Sequence, residues 1–254
     1  MSPDQTSPQS PLRVGIVGPG RVGTALARAL RGAGVDVDGP RGRGDRPERC
    51  DAIVLCVPDG EIPAAAETVT AAAPLIGHTS GATPLSALLH AGVPAFGLHP
   101  LQSFAHPGVG FEGAGAAVAG TTPEALAFAT MLAERLGMTP FEIDDDGRAA
   151  YHAAASVASN FLVTLEAAAE AIASGAGLSR EDARALLTPL VRQTVENVAE
   201  LGPERALTGP VARGDEATVE AQRAAVEEAA PELLDLFDEL VRHTRALAGH
   251  RSPA

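Results

Sequence analysis

Short apolar runs separated by glycine, proline and charged residues mark the first half of the chain. The runs Leu12–Gly18, Val35–Asp38 and Ala52–Val57 have the length and continuity of strands buried on both faces of a sheet. Further strands are predicted in "PLIGHTS", "VPAFGLHP", "GAAVAG" and "MTPFEID", and helical segments such as Pro123–Leu136 separate them. This alternation predicts an α/β fold with a doubly wound parallel sheet.

The pattern changes to helical periodicity from Gly147 onward. Long helices are predicted in the segments that begin "GRAAYHAAASVASN", "LSREDARALL", "GDEATVEAQR" and "PELLDLFDEL". We expect Ser179 and Asp215 to cap the second and third of these helices, and Pro231 to open the fourth. The last helix carries an apolar stripe that would form core, a dimer seam or both: Leu233, Leu234, Phe237, Leu240 and Val241.

A glycine-rich turn joins the first predicted strand to the first predicted helix. In "GPGRVG", residues Gly18, Gly20 and Gly23 have the GxGxxG spacing, with Arg21 and Val22 between them. The first glycine permits a tight turn, the second lets the backbone approach a pyrophosphate, and the third lets helix and strand pack closely. Free amides and the helix dipole would hold the phosphates. The turn therefore predicts dinucleotide binding by a Rossmann domain, a purely structural turn being the alternative.

The residues after the second predicted strand indicate which dinucleotide to expect. An acid near the end of this strand binds the ribose 2′-hydroxyl in NAD sites, but Asp38 lies early for that role. Arg41 and Arg43 stand at about the right distance and suit a 2′-phosphate, although a solvated arginine loop is the alternative. Val57 and Pro58 end the third strand at the cofactor edge. We expect NADP in preference to NAD.

Composition and charge exclude several classes of function. The formal net charge of −13 argues against nucleic-acid partners and against acidic membranes. All 19 basic residues are arginine, which excludes a Schiff-base lysine, a lysine general acid and a Walker-type phosphate loop. The two cysteines form neither a disulfide framework nor a metal-ligand spacing. With no apolar run long enough to span a membrane and no signal-peptide pattern, we expect a soluble cytoplasmic protein.

The domain organisation follows from these patterns. Residues 1–11 are expected to be a disordered tail, residues 12–146 the Rossmann domain, and residues 147–249 an all-helical domain for substrate binding and dimerisation.

Polar residues cluster where two predicted strands end, at the edge where open α/β sheets bind ligands. The fourth strand ends in "HTSG", which contains Ser80, and the fifth ends in "GLHPLQSF", which contains His99, Gln102 and Ser103. A histidine titrates near neutrality and can give a proton to a carbonyl oxygen. We expect His99 and Ser80 to be catalytic and Gln102 and Ser103 to orient the substrate, whereas a capped polar turn is the structural alternative.

The helical half offers further candidates. His152, Ser156 and Asn160 are spaced four apart and would share one face of a helix, either as a pocket wall or as a solvent-facing side. His152 and Asn160 are assigned to catalysis and Ser156 to substrate binding. Arg213, in "GPVARGD", suits a bidentate contact with a substrate carboxylate, and a salt bridge beside a helix cap is the alternative.

Together, "GPGRVG", "VPDGEI", "HTSGA", "GLHPLQSF", "YHAAASVASNFL" and "GPVARGD" resemble the Rossmann-like bacterial proteins whose helical C-terminal half is a domain of unknown function. The resemblance covers about residues 12–247. The group is similar in architecture to ketopantoate reductases, hydroxyisobutyrate-type dehydrogenases, pyrroline carboxylate reductases and prephenate dehydrogenases. It implies an NADP-dependent oxidoreductase with a small carboxylate substrate, which forms dimers through its C-terminal helices; some members look like alternative ketopantoate reductases of pantothenate synthesis.

The sequence departs from these relatives at the start of the long helix. Hydroxyisobutyrate-type dehydrogenases and the usual ketopantoate reductases carry a catalytic lysine there, and this chain has none. Asn160 resembles their asparagine, and His99-Pro100 resembles the histidine-proline corner of prephenate dehydrogenases. We therefore expect reduction of a 2-oxo acid, ketopantoate-like, with His99 or His152 as proton donor. An imine reductase and a non-enzymatic NADP sensor are the alternatives, and a deazaflavin could replace the nicotinamide cofactor.

Overall fold

The computed structural model describes residues 11–249. Residues 1–10, which make up most of the expected tail, lie outside this range. The chain divides into two compact units, the first ending at Val157 and the second beginning at Ala158. The unit boundary thus lies about ten residues beyond the expected one at residue 147, because the first turns of the helix after residue 147 pack their side chains against the strand that contains Gly97 and His99.

The first unit contains a seven-stranded sheet. Its strands are β1 (Arg13–Val17), β2 (Asp36–Arg41), β3 (Ala52–Leu55), β4 (Ile76–His78), β5 (Ala95–Pro100), β6 (Gly115–Gly120) and β7 (Thr139–Glu142). Its helices are α1 (Arg21–Gly32), α2 (Ile62–Val69), α3 (Pro123–Arg135) and α4 (Arg148–Ser156), and a 3-10 segment, Leu85–Ala91, connects β4 to β5.

The sheet has the order β2-β1-β3-β4-β5-β6-β7. The first five strands in this order are parallel, so the predicted doubly wound α/β architecture is confirmed. Strand β6 runs antiparallel to β5 and parallel to β7, because the loop that follows β5 returns directly to the neighbouring position in the sheet instead of crossing over through a helix. The carboxyl ends of β1, β3, β4 and β5 therefore lie side by side at one edge.

Strand β2 starts later and extends further than the sequence suggested. It was expected at Val35–Asp38, whereas the paired segment runs from Asp36 to Arg41. The pairing of Val17 with Arg41, across an irregularity in the register, extends the strand. Arg41 is thereby the last residue of the strand, and Asp38 lies in its middle.

The core of the first unit has two layers, one on each face of the sheet. Neighbouring residues of β3 face opposite layers: Val54 packs with α1 and α3 residues such as Leu26 and Leu132, whereas Ile53 packs with α2. A strand buried on both faces needs an uninterrupted apolar run, and all four residues of β3 are fully buried. These layers fix the strand ends that carry the candidate site.

The second unit is helical, as predicted. It contains α5 (Leu162–Ala173), α6 (Arg180–Leu201), α7 (Pro203–Ala206), α8 (Pro210–Arg213), α9 (Glu216–Ala229) and α10 (Leu234–Gly249). The side chains of Ser179 and Asp215 accept hydrogen bonds from backbone amides at the starts of α6 and α9, so both predicted caps are confirmed. Among residues 11–249, no helix is both long and apolar enough to cross a membrane.

The predicted long helix after Gly147 is interrupted by a π-helical turn. Residues Val157–Phe161 form this turn between α4 and α5. A π turn has i→i+5 hydrogen bonds and accommodates one more residue than an α turn. The turn lies between Ser156 and Leu162 and contains Asn160, so the shared face expected of His152, Ser156 and Asn160 stays a prediction.

Candidate active site

The glycine turn after β1 is shaped by contacts between backbone atoms. Gly18 has φ +108°, and a Cβ on it would lie 2.3 Å from the carbonyl oxygen of Cys56. A Cβ on Gly23 would lie 2.0 Å from the carbonyl oxygen of Gly18. Side chains are thus excluded at both positions, by the tight turn at Gly18 and by the close packing of α1 at Gly23.

The start of α1 is open toward solvent, as an anion site requires. Gly20 is the N-cap and supplies no capping side chain. Among residues 11–249, no heavy atom lies within 4 Å of the position that a Cβ would take on Gly20. The first turn begins with Arg21 and Val22 and contains no carboxylate. Uncapped amides and an unopposed helix dipole therefore face this space, an arrangement that favours a phosphate.

A cavity of about 550 Å³ adjoins this turn. Four segments line it: the glycine turn, the loop Gly42–Asp45, the end of β3 with Val57 and Pro58, and the start of α2. Its volume lies within the range of small-molecule and cofactor sites. The crevice where the order of the strands reverses, between β1 and β3, is where open α/β sheets bind their ligands. The cavity therefore has the position and the size for a dinucleotide.

The acid of β2 is occupied by the protein itself. Asp38 is buried, and its Oδ1 accepts hydrogen bonds from Nε of Arg41 at 2.9 Å and from a terminal guanidinium nitrogen at 2.5 Å. Its Oδ2 accepts from the backbone amide of Glu48 at 2.7 Å. These contacts leave Asp38 engaged within the loop and unsuited to binding a ribose hydroxyl.

The two arginines singled out by the sequence have different surroundings. Arg41 is held against Asp38, and its side chain does not line the 550 Å³ cavity. Arg43 does line that cavity, and its guanidinium forms an ion pair of 2.6 Å with Glu61 on the α2 side. The Arg43 side chain is 84% exposed, so it can exchange this carboxylate for another anion.

The loop after β5 reaches back to α1. Arg28 of α1 donates hydrogen bonds to the backbone carbonyls of Pro107 and Val109. A smaller cavity of about 230 Å³ lies under this loop and is lined by Arg21, Arg28 and His106 together with the glycine turn. The loop that follows "GLHPLQSF" therefore leads from the sheet to the candidate phosphate site.

Gln102 and Ser103 belong to this loop, and Gln102 stabilises it. The side-chain oxygen of Gln102 accepts a hydrogen bond from the amide of Ser103 at 2.9 Å, and its Nε2 donates to the carbonyl of Gly110 at 3.3 Å. Both polar ends of this amide are thus used within the loop. These bonds stabilise the loop, the Ser103 side chain is exposed, and the substrate-orienting roles of Gln102 and Ser103 stay predictions.

The histidine corner, as we name the group formed by Gly81, His99, Tyr151 and His152, lies where β4 and β5 end. Nδ1 of His99 and the hydroxyl oxygen of Tyr151 are 2.6 Å apart. The rings of His99 and His152 are 6.2 Å apart between centroids. A Cβ on Gly81 would lie 2.8 Å from the His99 ring and 2.9 Å from the His152 ring, so the loop backbone packs directly against both. The structure thus brings together His99 and His152, the two candidate proton donors that the sequence predicted.

Burial changes the chemistry expected of His99. Burial is the largest cause that lowers the pKa of His99, the interactions with His152 and Arg148 add to it and Asp59 opposes it, and together they bring the pKa to about 4. His99 is therefore a neutral imidazole at pH 7, which corrects the premise that it titrates near neutrality. Burial likewise raises the pKa of the Tyr151 hydroxyl to about 12, so this group stays protonated.

Arg148 connects the helix of the corner to the sheet, and the sequence analysis missed it. Its side chain is 3% exposed, and its Nε donates to Asp145 Oδ1 at 2.8 Å. The Asp145 carboxylate also accepts from the backbone amide of Leu85. A Cβ on Gly97 would lie 2.9 Å from the Arg148 guanidinium, so the glycine in β5 makes room for it. The Asp-x-x-Arg spacing before a helix was the available signal.

Ser80 shapes its own turn. Its hydroxyl oxygen accepts hydrogen bonds from the amides of Ala82 and Thr83 and donates to the Thr83 hydroxyl at 2.9 Å. Its amide donates to Nδ1 of the fully buried His78, whose pKa burial lowers to about 4. The hydroxyl expected to be catalytic is thus committed to the turn that carries Gly81.

The other candidates do not belong to this cluster of contacts. Ser156 is half-buried at the end of α4. Asn160 lies in the π turn and Arg213 ends α8, and both belong to the second unit, where they are exposed. Their roles in substrate binding or catalysis stay predictions.

The profile of one protein family, described as a domain of unknown function (DUF2520), matches residues 115–244. No curated protein matches the chain.

Solved structures share the fold along almost the whole chain. A Bacteroides fragilis protein that is provisionally named an NADP oxidoreductase is 21% identical with a TM-score of 0.76, over 93% of this chain and 98% of its own. A Thermotoga maritima protein that bears no functional name is 23% identical with a TM-score of 0.78, over 93% and 99%. Pyrroline carboxylate reductase from Plasmodium falciparum, solved with NADP bound, is 14% identical with a TM-score of 0.58, over 93% and 98%. At these identities, the likeness shows a common fold.

Proposed function

The chain belongs to the family of the domain of unknown function DUF2520, and on this premise we propose that it is an NADP(H)-dependent oxidoreductase that reduces a small 2-oxo acid of the ketopantoate type. One observation carries the proposal. The glycine turn with its 550 Å³ cavity and the histidine corner lie at the carboxyl ends of neighbouring strands of one sheet. A dinucleotide site and two adjacent histidines at one edge of a sheet suit a carbonyl reduction, which needs a hydride donor and a hydrogen-bond donor for the oxygen.

The surroundings of the cavity support NADP as the cofactor. The uncapped start of α1 and the open side of Gly20 suit the pyrophosphate. Asp38, the acid that could bind a ribose 2′-hydroxyl, is engaged by Arg41 and by the Glu48 amide. Arg43 lines the cavity and offers a guanidinium to a 2′-phosphate.

Each part of the site has a distinct task in this proposal. A reduced nicotinamide supplies a hydride to the substrate carbon when it is bound. His99, as a neutral imidazole, or the exposed His152 donates a hydrogen bond to the carbonyl oxygen; this donor gives the oxygen the proton that completes the alcohol and is reprotonated from solvent. Arg148 and Asp145 hold the start of α4 against the sheet, and so they position both Tyr151 and His152. Ser156, Asn160 and Arg213 are proposed as substrate contacts, the last through the carboxylate.

Imine reduction is the second candidate function. It is favoured by the likeness to pyrroline carboxylate reductase, which shares the arrangement of a Rossmann domain followed by helices. A protonated imine needs no proton donor for an oxygen, so the histidines would be dispensable in that reaction.

The test is to follow NADPH consumption with a panel of 2-oxo acids, including ketopantoate, and of cyclic imines. We expect turnover of a 2-oxo acid, with kcat/KM lowered about 100-fold in His99→Gln, or in His152→Gln if that residue is the main donor. Unchanged rates in both variants would refute the roles given to the histidines. Turnover confined to imines would favour the second candidate, and binding of NADPH without turnover of either class would favour an NADP sensor. A deazaflavin tested in place of NADPH completes the panel.

We also propose that the protein forms a homodimer through its helical unit. Helix α6 carries large apolar side chains that are more than 40% exposed, at Leu186, Leu190, Val195 and Val198. Such a surface favours association with a second copy of the chain. Light scattering of the intact protein tests this proposal, and a mass corresponding to one chain of 25.8 kDa would contradict it.

A further inference from the structure

We propose that Tyr151 holds His99 as a neutral imidazole with its proton on Nε2, and that the histidine corner thereby selects substrates with an acceptor oxygen over protonated imines. This inference rests on the proposed reductase function and names the substrate class of the same site. Tyr151 acts through His99 and is therefore a positioning residue.

The hydrogen bond between the two side chains determines where the imidazole proton lies. The Tyr151 hydroxyl and Nδ1 of His99 are 2.6 Å apart, and the two rings meet edge to face, with an interplanar angle of 89°. Within residues 11–249, Nδ1 of His99 is the hydrogen-bond partner that the structure gives this hydroxyl. The direction of this bond depends on the tautomer of His99, and in our proposal the O–H of Tyr151 is the donor and Nδ1 is the acceptor. The neutral ring must then carry its own proton on Nε2.

The Nε2 edge of the ring faces a position without a side chain. A Cβ on Gly81 would lie 2.9 Å from Nε2, and the backbone of Gly81 is not in the left-handed region that requires glycine. Space, rather than backbone conformation, therefore accounts for glycine here. Glycine at position 81 keeps a side chain away from Nε2, and we assign the Nε2–H group to the substrate oxygen.

The charged groups that face His99 are Arg148, which is in an ion pair with Asp145, and Asp59 of the turn after β3; the ring of His152 lies on the same helix as Arg148. Arg148 is buried beside the histidine corner, whereas Asp59 is exposed and its charge is screened by water. A protonated imine would bring a positive charge and an N–H donor to a group that is itself a donor. A carbonyl or carboxylate oxygen would bring the matching acceptor.

The tautomer is measurable in the intact protein without any substrate. Two-bond ¹H–¹⁵N correlation spectra of protein labelled at histidine distinguish Nδ1–H from Nε2–H, and His99→Gln assigns the signal. We expect the Nε2–H form in the native protein. In Tyr151→Phe, the tautomers should become mixed, and the His99 titration should shift to higher pH, because the hydrogen bond that stabilises the neutral ring is lost.

The matched control is Phe141→Leu. Phe141 packs against the Tyr151 ring with centroids 5.8 Å apart, so this change disturbs the same aromatic packing but keeps the hydroxyl. It should leave the His99 tautomer unchanged. An Nδ1–H form in the native protein, or the same tautomer in Tyr151→Phe as in the native protein, would overturn the inference.

A second measurement tests the selectivity. In Tyr151→Phe, kcat/KM should fall at least tenfold for 2-oxo acids and much less for cyclic imines, so that the ratio between the two classes drops. An equal loss for both classes would overturn the selective role of the corner. If neither class is turned over by the native protein, the proposed function fails, and the spectra still decide the tautomer on their own.

Discussion

The glycine turn and the histidine corner lie at the same edge of one sheet, but they are built from different kinds of contact. The turn is formed by six consecutive residues, and its shape depends on backbone atoms: a Cβ on Gly23 would come within 2.0 Å of a carbonyl oxygen. The corner joins Gly81, His99 and two residues of α4, and its properties depend on side-chain burial and a hydrogen bond. The turn is therefore insensitive to pH, and the corner is not.

The largest expected effect comes from adding a methyl group at Gly23, where the turn has no room for one. Gly23→Ala places a methyl group against the Gly18 backbone, which cannot move aside as a flexible side chain could. We expect a loss of about 2–3 kcal/mol in the free energy of unfolding, measured by urea denaturation, together with loss of NADPH binding. The control is Gly20→Ala, where the space is open. This change should lower the free energy of unfolding by about 1 kcal/mol or less. Equal stability of the two variants would contradict the backbone contacts described here.

A smaller effect is expected from the cation beside the turn. Arg43→Ala removes the guanidinium that lines the cavity, and a charge-assisted hydrogen bond contributes about 1.5–3 kcal/mol. The Kd for NADPH should therefore rise about 10- to 100-fold, while the Kd for NADH changes little, as measured by isothermal titration. The control is Arg46→Ala. Arg46 is an exposed arginine close to Arg43 in the chain, and its side chain does not line the cavity. Equal losses for the two cofactors would refute the assignment of Arg43 to the 2′-phosphate.

A third effect, which is small per pH unit, sharpens the difference in pH sensitivity. In the folded protein the pKa of His78 and of His99 is about 4, below the ordinary value of 6.5. Between these values the unfolded chain binds protons that the folded chain excludes, so stability falls as the pH is lowered from about 6.5 to about 4. Each histidine contributes at most about 1.4 kcal/mol per pH unit.

Urea denaturation between pH 4.5 and 7 measures this slope. We expect it to become shallower in His99→Gln, because only His78 of the pair then remains to be protonated. Acids whose pKa is lowered, such as Asp145, act below about pH 4 and do not obscure the result. A slope that is the same in His99→Gln and in the native protein would show that His99 is not held neutral by the fold.

The contrast between the two regions also explains what the sequence could predict. The glycine turn was predictable because its geometry is local: the spacing of Gly18, Gly20 and Gly23 between a strand and a helix specifies it. The apolar run of β3 was predictable because burial on both faces of a sheet leaves no polar position. In the same way, the caps at Ser179 and Asp215 were predictable because each side chain accepts a hydrogen bond from the backbone amide three residues further on.

The corner was predictable only in part, because it depends on contacts between distant segments. His99 and His152 could be named from the sequence, but their approach depends on how α4 packs on β5. Arg148 was missed since its burial against Gly97 joins residues that are about 50 positions apart. Ser80 and Gln102 have polar side chains at the right strand ends, and the structure uses both in local turns.

The central claim is that hydride passes from NADPH to the carbonyl carbon of a small 2-oxo acid. The most direct measurement uses NADPH deuterated at both C4 positions of the nicotinamide together with ketopantoate and related 2-oxo acids, with the products resolved by mass spectrometry and NMR. We predict one deuterium at C2 of the 2-hydroxy acid for each NADPH oxidised. NADPH binding without transfer of deuterium to any 2-oxo acid would contradict the claim.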